Sequence, residues 1–195
     1  QVSLAFDANV GFDLMHADIV SPSFLSPPWY LLKDAPAPLS ERSNLAYSII
    51  SSCDRESGRD TYIDALVRAG LPVQRFGKCH STGSMPCDTK ADHKTGREAP
   101  CSLPANATNA QRDTVRQNFL RSFKFGLAFE NSLIDGYVSE KLFNVLKAGV
   151  VPIYRGSRRL DALEFTTPGT PWVVDAASFS SPDELAAFVL RLAND

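Results

Sequence analysis

The chain has 195 residues, 44% hydrophobic and 22% charged, enough apolar matter for one core of ordinary soluble-protein composition. A formal net charge of −2 argues against a nucleic-acid footprint, and no apolar run approaches the roughly 18 residues that a membrane span requires. No signal peptide is visible, and the chain opens on Gln1 rather than Met, as expected of a processed protein or a fragment. Residues 1–20 give no clean period beyond the alternation of Val2, Leu4 and Phe6, a weak strand signal. Residues 21–38 hold Pro22, Pro27, Pro28, Pro36 and Pro38, a density that fits an extended connector and not a helix or central strand. Phe24, Trp29 and Tyr30 within it are expected to pack on a surface.

From Leu45 the pattern becomes regular. Leu45–Ile50 reads as an apolar strand, Ser51–Asp54 as a polar turn, Asp60–Ala69 as a helix with Ile63, Leu66 and Val67 inward, and Leu71–Phe76 as a second strand after Gly70. Ala110–Ser122 has a helical stripe at Val115, Phe119 and Leu120. The run 124–129 is a buried strand, Tyr137–Ala148 a helix with Ser139 as N-cap and Gly149 as C-cap glycine, and Val150–Tyr154 a further strand. A helical turn is expected at Arg158–Leu163 and a short strand at Trp172–Val174. Ser181-Pro182-Asp183-Glu184 opens a last helix, with Leu185, Phe188, Val189 and Leu192 inward. Alternating strands and helices predict an α/β, doubly wound parallel sheet. Ligands of such sheets bind at the carboxyl ends of the strands, beside helix N-termini.

Residues 77–110 form a loop rich in glycine and proline that holds Cys79, Cys87 and Cys101. A structureless loop of that length is expected to be functional or stapled. A Cys87–Cys101 or a Cys79–Cys101 bridge would staple it, and spacing alone leaves the pairing open. The competing arrangement is three free loop thiols and a buried Cys53. Zinc is disfavoured because no C-x-x-C pair occurs, and His16, His80 and His93 lie in unpatterned segments, so no metal site is expected. Asn106-Ala107-Thr108 is a glycosylation sequon. An even cysteine count with a sequon fits a secretory-pathway lumen better than a cytosol.

In the strand–helix–strand unit Phe123–Ser157, Glu130, Asn131, Tyr137, Glu140 and Lys141 form a dense polar cluster at the edge where ligands bind. The run F-K-F-G-L-A-F-E-N-S is followed by Y-V-S-E-K-L-F and by A-G-V-V-P-I-Y. In this order these blocks closely resemble the signature of the α-1,3-fucosyltransferases of glycosyltransferase family ten. S-S-C-D-R-E-S-G-R at 51–59 resembles the family's S-N-[CW]-x-x-x-S-x-R, with Ser52 in place of the usual asparagine. Gly156 and Ser157 resemble the V-P-I-Y-W-G-S of bacterial members, with Arg155 in place of the aromatic residue.

The resemblance implies a Rossmann-like sheet, the C-terminal half of a two-domain GT-B transferase. Residues 1–40 would be a remnant of the acceptor domain with its connector, and 41–195 the GDP-fucose-binding domain. The implied reaction is inverting transfer of L-fucose from GDP-fucose to a GlcNAc-containing glycan of a glycoprotein or glycolipid, in α-1,3 linkage. Arg59 is matched to the family arginine at the sugar pyrophosphate, where a guanidinium grips two phosphate oxygens. Lys141, at a helix start, suits the same phosphates, and the two would stabilise the leaving group without a metal. Glu140 suits a ribose diol, with Asn131 and Tyr137 completing the pocket. Glu130 is expected to be buried and paired, and not a general base. The base belongs to the upstream domain, so this chain is expected to bind donor without being fully active alone. A Golgi-lumenal membrane protein is implied for a eukaryotic parent, anchored through a segment outside this chain. Without the resemblance, Arg59 reads as an exposed helical arginine and Glu140-Lys141 as a solvated surface pair. The alternatives are another nucleotide-sugar transferase of GT-B architecture and a non-catalytic nucleotide-sugar-binding module.

Overall fold

The computed structural model describes residues 38–87, 101–158, 160 and 172–194, with the backbone of three short strands nearer the start. Those strands, β1 (Val2–Ser3), β2 (Asn9–Gly11) and β3 (Ile19–Val20), form a small sheet in which β2 pairs β1 antiparallel and β3 parallel. The proline-rich connector up to residue 37, with Trp29, as well as His16, His93 and most of the turn expected at 158–163, lie outside the described residues.

The main sheet comprises β4 (Ser43–Ile49), β5 (Val73–Phe76), β6 (Phe123–Phe129), β7 (Val151–Arg155) and β8 (Val174–Asp175). All four pairings are parallel and the spatial order is β5-β4-β6-β7-β8. Among the described residues, four α-helices cover it: α1 (Arg59–Arg68), α2 (Asn109–Leu120), α3 (Glu140–Lys147) and α4 (Pro182–Asn194). Two clusters show that both faces are clothed. One joins Ile63 and Leu66 of α1 and Leu185 and Val189 of α4 to Phe125 and Ile153. The other joins Leu120 of α2 and Leu142 and Val145 of α3 to Tyr47, Ala128 and Tyr154. This is the expected α/β, Rossmann-like architecture. It explains why six of the seven residues of β6 are buried: a central parallel strand meets helices on both sides.

Local chemistry sets several boundaries. Thr108, the sequon threonine, caps α2 in a reciprocal box with Gln111. Ser181 accepts from the Glu184 amide and Pro182 takes the first position of α4, as expected. Gly149, at φ 63°, ends α3 with its amide on the Leu146 carbonyl. Two inward assignments fail. Val67 is 41% exposed and Leu192 39%, whereas Ala186 and Ala193 are buried. A 3.6-residue period defines a stripe only to within about one position, and the partner surface selects the rest.

Both bridges are formed. Cys87–Cys101 staples the loop at one of the two expected pairings, and Cys79 joins Cys53, not Cys101. Cys53 is exposed and oxidised, which corrects the reading of a buried free thiol.

Candidate functional site

Relative to chain order, the sheet runs second, first, third, fourth, fifth strand. Its reversal lies between β4 and β6, where the two connections leave in opposite directions and open a crevice at the carboxyl edge. A cleft of about 310 Å³ lies there, lined by Ser51 and Ser52 after β4, Arg59 of α1, Asn131 after β6, and Glu140, Lys141 and Asn144 of α3. Tyr47, Ile49, Leu127 and Val145 supply its apolar wall.

Arg59 is the first residue of α1 and only 2% exposed, so it is not the surface arginine that its helix alone predicts. Its guanidinium donates to the Phe129 carbonyl (3.3 Å), the Ser52 carbonyl (2.5 Å) and the Asn131 side-chain oxygen. These acceptors come from both sides of the switch point, so the guanidinium fastens the β4–α1 loop to the β6 loop. Burial lowers its pKa from the usual arginine value, opposed by Asp60 and Glu130. Arginine remains a cation through that shift.

Glu130 is fully buried at the end of β6. Its carboxylate accepts from the Ser139 amide (2.8 Å), the Ser139 hydroxyl (2.6 Å) and the Lys141 ammonium (3.3 Å). The expectation of a buried, paired carboxylate is met. Both oxygens are engaged, so Glu130 is no base for a solvent-borne hydroxyl. Ser139 is the N-cap residue of α3, yet it makes no side-chain cap, because its hydroxyl is committed to Glu130. The helix runs Glu140–Lys147, within the expected stretch Tyr137–Ala148 and beginning directly after Ser139, the expected N-cap.

Lys141 is held by the Ser139 hydroxyl (2.7 Å), Glu130 (3.3 Å) and Glu140 (3.5 Å), with 19% of its side chain exposed. It presents a fixed cation at the N-terminus of α3, where the helix dipole already favours anions. Glu140, 56% exposed, stands at the rim with one carboxylate oxygen 3.5 Å from the Lys141 ammonium.

Four of the five expected site residues, Arg59, Asn131, Glu140 and Lys141, therefore share one cleft. Tyr137 does not line it; it is half-buried behind the β6 loop, with its carbonyl 3.4 Å from the Tyr154 hydroxyl. Arg155 lies 4.6 Å over the Tyr62 ring and donates to the Ser57 carbonyl (2.5 Å), and Ser157 accepts from the Gly136 amide (2.8 Å). Both shape the loops behind the cleft. The sequence reading missed Ser51, Tyr47 and Asn144, and it set Ser52 aside because its side chain departs from the family pattern. Ser52 acts on Arg59 through its carbonyl, which no residue identity advertises.

Residues 39–195 match the family model described as glycosyltransferase family 10 (fucosyltransferase), C-terminal part. A protein from Rattus norvegicus named GDP-fucose protein O-fucosyltransferase 3 is 33% identical over 164 residues, covering 81% of this chain and 30% of the relative. The protein of that name from Homo sapiens is 32% identical over 145 residues, covering 74% of this chain and 26% of the relative. The chain thus spans less than a third of the length of these relatives. Among solved structures, an α1,3-fucosyltransferase with GDP-fucose superposes with a TM-score of 0.54 at 24% identity, covering 80% of this chain and 37% of that one. An α1,3-fucosyltransferase with GDP gives 0.54 at 23% identity, covering 80% of this chain and 36% of that one. At that identity the likeness is one of fold.

Proposed function

This chain belongs to glycosyltransferase family 10, the fucosyltransferases, and from that premise we propose that it is the donor-binding half of an enzyme that transfers L-fucose from GDP-fucose to a hydroxyl. The observation that carries the reading is the convergence of Arg59, Asn131, Glu140 and Lys141, from three separate stretches of sequence, on one cleft at the switch point of the sheet. Arg59 and Lys141 are two held cations where a pyrophosphate leaving group develops charge, and such fixed charge needs no reorganisation as the bond breaks. Glu140 accepts from the ribose hydroxyls, and Asn131 keeps Arg59 oriented. The displacement is in line and inverting, with the base for the acceptor hydroxyl supplied from outside this domain.

Curated relatives at 31–33% identity are named as protein O-fucosyltransferases, which favours a protein side-chain hydroxyl as acceptor. A GlcNAc hydroxyl in α-1,3 linkage is the second reading, favoured by the motif resemblance. The two disulfides and the exposed sequon residue Asn106 support folding in an oxidising secretory lumen, as in the Golgi.

The test is thermal denaturation with GDP, UDP and ADP, each variant measured against its own unliganded midpoint. Ligand at a hundred times its Kd adds about 2.7 kcal/mol, or roughly 5–10 °C for a chain of this size. A GDP-selective shift, lost in Arg59→Ala and Lys141→Ala, is expected. A folded chain indifferent to GDP would overturn the reading. Transfer of labelled fucose by the full-length protein to a folded protein domain or to a GlcNAc-terminated glycan separates the acceptors.

A further inference from the structure

The loop between β4 and α1 is held in two halves. Its second half is well tied: the Ser57 hydroxyl donates to the Glu130 carbonyl (2.8 Å), the Ser57 amide faces the Asn131 carbonyl (3.4 Å), and Arg155 donates to the Ser57 carbonyl. Its first half, residues 51–55, is exposed apart from half-buried Ser52, and includes Asp54 at φ 52°. The Arg55–Ser52 contacts lie within the loop and are solvent-exposed. Besides the Asp54 amide on Asp60 (3.1 Å), the Gly58 amide on the Arg55 carbonyl (2.8 Å) and Arg59 on the Ser52 carbonyl, the covalent tie of this half to the sheet is Cys53–Cys79.

The far end of that bridge is rigid. Gly77, at φ 92°, brings the exit of β5 against the Ile50 backbone, where a side chain would collide with the Ile50 carbonyl. The Ile50 amide bonds Phe76 (2.9 Å) and the Cys79 amide bonds Ile50 (3.0 Å). Cys79 is 4% exposed, so its sulfur is a fixed post. One residue before Cys53 is the Ser52 carbonyl that accepts from Arg59, and Ser51 and Ser52 line the cleft.

We propose that Cys53 and Cys79 are positioning residues of the donor site: their bond holds the Ser52 carbonyl against Arg59, and opening it weakens binding of the nucleotide diphosphate. This rests on the donor reading above. The opening is an ordinary exchange. A dithiol attacks the sulfur of exposed Cys53, the Cys79 thiolate leaves and takes a proton, and the reagent's second thiol closes a cyclic disulfide, leaving two cysteine thiols. The loop must then be ordered at the moment of binding, a cost borne by the ligand.

GDP binding is measured by calorimetry with and without dithiothreitol, at a temperature where circular dichroism shows every sample folded. Wild type and Cys87→Ala/Cys101→Ala are expected to lose roughly tenfold in affinity on reduction, the scale of ordering one long side chain and its loop, and to regain it on reoxidation. Cys53→Ala/Cys79→Ala should bind that weakly from the start and ignore the reductant. Should that variant not fold, the reduction and reoxidation of Cys87→Ala/Cys101→Ala decides alone. Unchanged affinity on reduction, or an equal loss in the variant lacking Cys53 and Cys79, overturns the inference while leaving the donor site intact. No GDP binding by the oxidised wild type overturns the donor reading itself.

Discussion

Glu130→Ala removes the hub of the β6 loop. The carboxylate is fully buried and accepts three hydrogen bonds, two from Ser139 and one from Lys141. Breaking a buried ion pair from one side costs about 3–5 kcal/mol, because the partner is stranded. Lys141 is 19% exposed and has a flexible stem, so it can turn towards water. Ser139 cannot, being 6% exposed with its amide aimed inward. The lower end of the range applies, about 3 kcal/mol. At about 2–4 °C per kcal/mol this lowers the melting temperature by roughly 6–12 °C. Glu130→Gln keeps an oxygen for the Ser139 amide but loses the charge that holds Lys141, and should cost about 1–2 kcal/mol. Urea unfolding followed by tryptophan fluorescence and circular dichroism measures both, through the midpoint at unchanged slope. A Glu130→Ala variant within about 0.5 kcal/mol of wild type, the scale of an ordinary surface change, would refute the claim that this carboxylate organises the loop.

Tyr47 is 2% exposed and its hydroxyl lacks a hydrogen-bond partner among the described residues, so Tyr47→Phe should be neutral or stabilising by about 1 kcal/mol in a urea melt. Burial holds the Tyr47 and Tyr154 phenols above the ordinary tyrosine value, with Glu130 adding to the effect at Tyr154. The unfolded chain therefore releases these protons first as pH rises past about 10, and the stability present below that pH is lost above it; Tyr47→Phe should flatten the decline above about pH 10. Gly156→Ala would place a methyl 2.6 Å from Glu130 Cγ and against the Tyr154 hydroxyl, an overpacking cost of about 1–3 kcal/mol, visible as a lower melting temperature together with weaker GDP binding. Cys87→Ala/Cys101→Ala opens a link across a sequence separation of 14 and should cost about 3 kcal/mol by chain entropy, with GDP affinity unchanged because that bridge lies away from the cleft residues.

Period and punctuation in the sequence were sufficient to locate β4 to β7 and the four α-helices among the described residues, because a buried parallel strand must be continuously apolar and a covering helix must carry one apolar stripe. Arg59, Asn131, Glu140 and Lys141 were singled out by the resemblance of their motifs to the family signature; local pattern alone read Arg59 as an exposed helical arginine and Glu140-Lys141 as a solvated pair. The tertiary structure decided what no local pattern holds. It paired Cys53 with Cys79 across 26 residues, set Val67 and Leu192 outward, sent the Ser139 hydroxyl to Glu130 and not to its own helix, and left Tyr137 outside the cleft. It also turned the Ser52 carbonyl onto Arg59. Local sequence sets the shape of a segment through backbone sterics and burial period. Which buried donor meets which acceptor depends on strand order, here the reversal between β4 and β6, and that order is a property of the assembled sheet.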